Sequence, residues 1–336
     1  MTAPAVDPGS TFRWQDGERL VLFGRGTLAE AGPLLGTGYD LLTTPRAAAA
    51  APALVASAGR VHEVAPGRVD ELAGELRPTI GSELLVALGG GRVIDVAKAL
   101  AAADPPRRVA AIPTTLSGAE MTAIHRHAAG VPLDTPRVRP AIVVNDPVLS
   151  ASQPPADLAA SAANALGHAA EGPLTPLSSP VPALAALEAA RLLARAMASE
   201  PERPDRDALA LGSLLAGYVI GSTGYGLHHV LSQTLVRFAG LGHGQANAIM
   251  LPHTIAALAR RAPERIALLG DALGEDPSAF ASRLGVLAGA RSLGEAGVTE
   301  PALAGLAEQA ATRPELQMTP PAADREELVE ILRAAL

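Results

Sequence analysis

Short apolar runs at 20–23, 39–44, 61–64, 83–88, 109–112 and 141–144 recur through the first part of the chain, each closed by glycine, proline or a small polar residue. Runs of that length bounded by turn residues predict buried strands. Residues 69–76 and 93–103 between them carry helical spacing, and a helix is expected from about residue 28. Strands alternating with helices predict an α/β unit with a Rossmann-like, open, mostly parallel sheet covered on both faces. Beyond Asp146-Pro147 the pattern changes. Segments 156–172, 181–199, 205–235, 244–261, 263–273, 277–291, 300–311 and 324–335 have helical spacing or alanine-rich helix composition, with no strand among them. The chain therefore divides into an α/β domain, 1–147, and an all-helical domain, 148–336.

Composition narrows the partners. With 336 residues, 48% of them hydrophobic, two sizeable cores are within reach. The net charge of −7 and an aromatic content of 2% provide neither the basic stripe nor the stacking surfaces that nucleic acid requires, so none is expected. There is no cysteine, which excludes disulfides, thiolate metal sites and a cysteine nucleophile. The opening MTAPAVDPGSTFRWQDGERL has no basic segment followed by an apolar run, and the alanine-rich stretch 47–58 is broken by Pro52. A cytoplasmic protein that neither spans nor binds a membrane is the expectation. Of the 27 basic residues the only lysine is Lys98, and asparagine occurs only at 145, 164 and 247. In a chain so biased, these residues are worth watching.

Two loops carry candidate chemistry for a phosphate ligand. Gly89, Gly90 and Gly91 lie between a predicted strand and a predicted helix, where glycine lets a pyrophosphate approach the backbone and the helix N-terminus supplies free N–H groups. The same glycines equally form an ordinary turn. Asp95 and Lys98 follow within two helical turns, and the next strand ends in PTTLSGAEMT, whose Thr114, Thr115 and Ser117 offer small hydroxyls. That stretch also reads as a capped turn. Both loops fall at the carboxyl ends of their strands, where open α/β sheets bind ligands.

The second domain carries the histidines. Residues 226–253 hold four of the chain's eight, including His228, His229, His243 and His253, and Asn164 and His168 lie four apart on one helical face. Any single one reads as a hydrogen-bonded core imidazole. Together they read as a site.

GGGRVIDVAKA, PTTLSGAEMT and GHGQANAIMLPH, in that order, resemble the iron-containing alcohol dehydrogenase family, and the resemblance extends from Gly24 to His253. It implies a dehydroquinate synthase-like architecture in which a nicotinamide cofactor is bound between the two domains. It further implies NAD or NADP at Gly89, Gly90, Gly91, Asp95, Lys98, Thr114, Thr115, Ser117 and Thr43, and catalytic roles for His229, His243 and His168. The family holds a divalent metal with one aspartate and three histidines. By motif position these fall on Asn164, His168, His229 and His243, so the anionic ligand is replaced by an amide, and Fe²⁺ or Zn²⁺ is expected to be held weakly or not at all. The GLHH start of the later motif, the N-A-L-x-H segment and Thr43-Thr44-Pro45 look like the maleylacetate reductase branch.

The resemblance implies hydride transfer between a nicotinamide cofactor and a small-molecule or peptide alcohol or ketone, in a homodimer. No acidic residue closes the second strand to bind a ribose hydroxyl, and Arg46 could accept a 2′-phosphate, which leaves NAD against NADP open. The substrate is equally open: a compound of specialised metabolism, a peptide hydroxyl, or maleylacetate itself, for which Arg126, His127, Arg137 and Arg139 offer cationic partners. A non-redox lyase and a cofactor-binding scaffold without catalysis are the readings from other classes.

Overall fold

The computed structural model describes residues 6–150, 153–198 and 204–336. They form two compact units, Met1–Ser152 and Gln153–Leu336, which divide a few residues beyond the Asp146-Pro147 turn.

The first unit is built on seven strands: β1 Phe12–Asp16, β2 Arg19–Phe23, β3 Asp40–Thr43, β4 Arg60–Glu63, β5 Leu84–Gly89, β6 Arg108–Pro113 and β7 Ile142–Asn145. Six helices accompany them: α1 Ala31–Leu35, α2 Pro45–Ala50, α3 Pro52–Ser57, α4 Val69–Leu76, α5 Gly91–Ala103 and α6 Pro147–Ser150. The strand order is β1-β2-β7-β6-β5-β3-β4, and every pairing is parallel except β1 with β2. Strand β5 explains why the core needs two faces. Val86 and Leu88 pack into one cluster with Leu41, Ile112, Val144 and the α1–α3 residues Ala31, Leu35, Ala47 and Leu54. The intervening Leu85 and Ala87 pack into another with Val93, Ile94, Val96 and Ala97 of α5. A strand apolar at every position, not at alternate ones, is what a sheet covered on both sides demands.

Two features depart from the sequence reading. Strand β1, whose alternating partly buried and exposed residues mark an edge, forms an antiparallel hairpin with β2 that the apolar runs do not reveal. Alanine-rich 45–57 is helical, with Thr44 Oγ1 accepting the Ala47 N–H at the start of α2.

The second unit contains α7 Pro155–Glu171, α8 Pro180–Met197, α9 Arg206–Thr223, α10 Leu227–Phe238, α11 His243–Arg261, α12 Pro263–Leu273, α13 Pro277–Leu287, α14 Glu300–Ala311 and α15 Arg325–Ala334. Residue 199 of the expected 181–199 helix lies outside the described residues. Helix α13 stops short of the expected residue 291, because Gly289 adopts a positive φ of 67°. Helix α7 lies in the middle of this unit: every residue from Ala162 to Glu171 is buried, and α8, α9, α11 and α13 pack around it.

The expected single helix 205–235 is two. Gly224, with φ 70°, ends α9, and the chain bends by 98° before α10 begins. Left-handed φ is cheap only for glycine, which is how helices commonly stop. Gly226 is required for a different reason, since a Cβ there would fall 2.0 Å from Thr319 Oγ1. The elbow sets the N-terminus of α10 down against the last turn of α7.

Candidate active site

In the first unit the register places Thr43 beside Leu88 and Gly89 beside Pro113, so the candidate cofactor residues emerge at one edge of the sheet. Gly90 is the N-cap of the thirteen-residue helix α5, no side chain caps that end, and no acidic residue occupies its first turn. The neighbouring loop lies close over it. A Cβ at Gly90 would be 3.0 Å from Thr115 Cγ2, and one at Gly91 would be 3.0 Å from Ser117 Oγ. Glycines thus permit the two loops to meet around an uncapped helix N-terminus, an arrangement that fits an anionic ligand. Thr114 is buried, and its N–H extends the ladder by donating to Gly89 O over 2.9 Å.

Lys98 is fully buried and its ammonium is engaged by protein. Nζ donates to Ala119 O at 2.9 Å, Ile124 O at 3.0 Å and Thr122 O at 3.2 Å, and it pairs with Asp95 at 2.7 Å. Its geometric role is to pin the 114–124 loop. Glu120 on the same loop is buried, and burial pushes its carboxyl up to about 7, against the pull of Lys98 and Arg19.

Of the cationic residues proposed for a dicarboxylate, Arg139 is committed to Glu18 and Asp16 of the β1–β2 hairpin. Arg126 pairs with Asp70 at 3.6 Å, and Arg137 donates to His125 O at 3.0 Å. His127 is buried with neither ring nitrogen hydrogen-bonded, its ring centroid 5.8 Å from that of His125.

In the second unit His168 and His229 are buried and stack, ring centroids 4.8 Å apart, and His228 meets His229 edge-on at 4.9 Å. Gly167 makes room, since a Cβ there would lie 2.7 Å from the His228 ring. Asn164 Nδ2 lies 3.4 Å from His168 Nε2, as their spacing on one helical face predicts. His228 Nδ1 is 2.9 Å from Thr254 Oγ1. His168 Nδ1, His228 Nε2 and His229 Nε2 are buried with no hydrogen bond to protein. Burial, with the neighbouring imidazoles adding to it, holds His168 well below the usual histidine range and takes His228 to about 3. Burial, with the neighbouring His243 adding to it, takes His229 to about 3.

His243 is the first residue of α11 and is exposed. It is close enough to depress its neighbours, but among the described residues no three His, Cys, Asp or Glu side chains gather to enclose a metal ion. With an amide at Asn164 as well, the side chains present do not fit a tightly held dication.

One residue of the cluster escaped the sequence reading. Glu171, at the end of α7, is fully buried and contacts His229 Nδ1 through Oε1, while Oε2 accepts the N–H groups of Gly226 at 3.1 Å and His228 at 3.0 Å. Burial pushes its carboxyl up to about 7 although His228 and these amides pull it down. Its spacing three residues after His168, on the same helical face, was the available signal.

Residues 158–336 match the profile of the Fe-containing alcohol dehydrogenase family, C-terminal. This chain belongs to the iron-containing alcohol dehydrogenase family. Maleylacetate reductase from Rhizobium sp. strain MTP-10005 is 32% identical over 311 residues, covering 85% of this chain and 88% of that protein. The Sphingobium indicum maleylacetate reductase is 34% identical over 316 residues, covering 88% and 89%. Among solved structures, maleylacetate reductase from Agrobacterium tumefaciens superposes with a TM-score of 0.82 at 29% identity, covering 100% of this chain and 99% of that one. Iron-containing alcohol dehydrogenase from Corynebacterium glutamicum gives 0.81 at 28% identity, covering 94% of each. As an iron-containing alcohol dehydrogenase family member the chain is an oxidoreductase.

Proposed function

We propose that this chain transfers hydride between a nicotinamide dinucleotide and a small alcohol or carbonyl compound, with Gly89–Gly91, Thr115 and Ser117 cradling the pyrophosphate. The observation that carries this reading is the pairing, in one chain, of an uncapped helix N-terminus under a hydroxyl-bearing loop with a buried imidazole cluster whose free nitrogens have no protein partner. When bound, the dinucleotide supplies or removes the hydride. The protein's share is orientation, exclusion of water and management of one proton. Lys98 and Asp95 support the cofactor by fixing the loop, and Thr43 lines the same sheet edge. His229 and His168 meet the substrate oxygen without a metal, and His243, at the exposed start of α11, serves as the outer member of the set.

Both NAD and NADP are accepted in this proposal, with exposed Arg46 in the first turn of α2 available to a 2′-phosphate. Similarity to maleylacetate reductases favours a second reading, reduction of maleylacetate itself. Against it, Arg139 and Arg126 are already paired with protein carboxylates. Reduced-nicotinamide oxidation should be followed with maleylacetate, neutral ketones and aldehydes, and peptide aldehydes, and the reverse reaction with the matching alcohols. Turnover of neutral compounds only supports the first reading, and preference for maleylacetate supports the second. Tight cofactor binding with no turnover of any of them sinks both.

A further inference from the structure

We infer that this chain prefers the phosphorylated cofactor, NADP(H): Arg46 and Arg92, on the two loops that border the crevice between β3 and β5, hold the adenosine 2′-phosphate. The inference rests on the hydride-transfer reading above and chooses between the two dinucleotides which that reading accepts.

The crevice follows from the topology. From β3 the chain runs through α2 and α3 out to β4, whereas from β5 it runs through α5 to β6 on the other side, so the strand order reverses between β3 and β5. The helices that follow the two strands therefore part, with Ala47 and Leu54 of α2 and α3 on one face of the sheet and Val93 and Val96 of α5 on the other. A reversal of this kind is where open α/β sheets take a ligand. Thr43 and Leu88 are register partners on strands about 4.8 Å apart, and Arg46 follows the first by three positions and Arg92 the second by four.

Charge decides what the crevice takes. Both arginines are exposed and make no hydrogen bond or ion pair with a described residue. Arg60, Arg68, Arg77, Arg107 and Arg139 of the same unit are all engaged by protein oxygens. Neither α2 nor α5 has an acidic residue in its first turn, and the Thr44 hydroxyl that follows β3 is taken by the Ala47 N–H. In the reading above the pyrophosphate is served by Gly90, Gly91 and the loop over them. The one further anion on either dinucleotide is the 2′-phosphate of NADP(H), a monoester with about two negative charges at neutral pH. Guanidinium groups bind such oxygens through paired N–H groups. Glu63, exposed at the end of β4 beside Thr43, is the competing group, because a carboxylate there would accept ribose hydroxyls and repel a phosphate. Two cations against one carboxylate, a strand further out, favour NADP(H).

Dissociation constants for NADPH and NADH, by fluorescence titration of the full chain, test the clamp. The wild type should bind NADPH about 10–100-fold tighter than NADH, the range that hydrogen bonds to a charged group give. Arg46→Ala and Arg92→Ala should each narrow that ratio, and the double variant should bring it close to one, the loss falling on NADPH and far less on NADH. Added salt should weaken NADPH more than NADH in the wild type and no longer do so in the double variant. Neither side chain has a protein partner, so the variants should unfold at the wild type's urea midpoint; should one not fold, the wild-type ratio alone decides. Equal affinities in the wild type, tighter NADH binding that Glu63→Gln abolishes, or an unchanged ratio in the double variant overturns the inference. So does equal loss of both cofactors in Arg92→Ala, which assigns that residue to the pyrophosphate. Those results leave hydride transfer standing, whereas a wild type that binds neither dinucleotide removes the hydride-transfer reading and the inference with it.

Discussion

The carboxylate of Asp95 lies 2.7 Å from the ammonium of Lys98, one helical turn on, and both serve the loop that faces them across the sheet edge. Lys98 is a buried charge satisfied by one carboxylate and three backbone carbonyls. Replacing it with Met should destabilise the protein by about 3–5 kcal/mol, because Asp95 and those carbonyls lose their partner together. Amine-directed labelling of the native protein should modify Lys98 hardly at all, with or without cofactor. Urea unfolding like the wild type's, or fast labelling, would show that the ammonium is elsewhere.

Gly90→Ala tests the cradle. The added Cβ stands 3.0 Å from Thr115 Cγ2, so the loop must yield by a few tenths of an ångström. Affinity for NADH or NADPH, by fluorescence titration, should fall by about tenfold, ~1.4 kcal/mol. Adding Thr115→Ser removes the methyl group it meets and keeps the hydroxyl. Recovery in the double variant means the loss came from loop displacement, persistence means the Cβ itself meets the ligand, and unchanged affinity in Gly90→Ala places the cofactor elsewhere.

The titration shifts fix the sign of a pH effect. His168, His228, His229, His125 and His253 are all held below their ordinary 6.5, chiefly by burial, so the unfolded chain takes up protons at pH 6.5 that the folded one refuses. Their contribution is present above 6.5 and is lost as pH falls. Glu120 and Glu171, raised to about 7, act the other way, their contribution being present below 4.5 and lost as pH rises towards 7. Five imidazoles outnumber two carboxyls, so stability should drop from pH 6.5 towards 4.5 by about 1–3 kcal/mol per unit. Denaturant midpoints that stay level or rise between pH 7 and 5 would contradict this.

Asn164→Asp tests the metal. It restores the anionic ligand beside His168, and the purified variant should carry more Fe²⁺ or Zn²⁺ than the wild type, which should hold well under one equivalent. His243→Ala in the Asn164→Asp background should lose that gain. A full complement in the wild type by elemental analysis would show that an amide oxygen suffices.

Strands β2, β3, β5, β6 and β7 were legible because almost every residue in them is buried, so each reads as an apolar run, as 84–88 does, whereas β4 at the far edge, exposed at three of its four residues, left only a weak one. The hairpin strand at Phe12–Asp16 was not, because an edge strand half in water has no such run. Helices of the second unit were legible in their spacing, but the break at 224–226 was not, since the apolar pattern continues across it and only two glycines mark it. The imidazoles were found by type and by motif. Glu171 was missed because a buried carboxylate at the end of an alanine-rich helix looks like a surface charge until the amides of another helix are placed over it.

The elbow between α9 and α10 gives the site an unusual geometrical sensitivity. A continuous helix through 224–226 would rotate successive residues by a fixed step and carry His228 and His229 off along the axis of α9. With the bend, their position is set by where α10 starts and no longer by the phase of α9. Gly224 makes the bend by its positive φ, and Gly226 lets the start of α10 close against Thr319. Two residues without side chains thus decide where the imidazoles stand, although neither could take part in the chemistry.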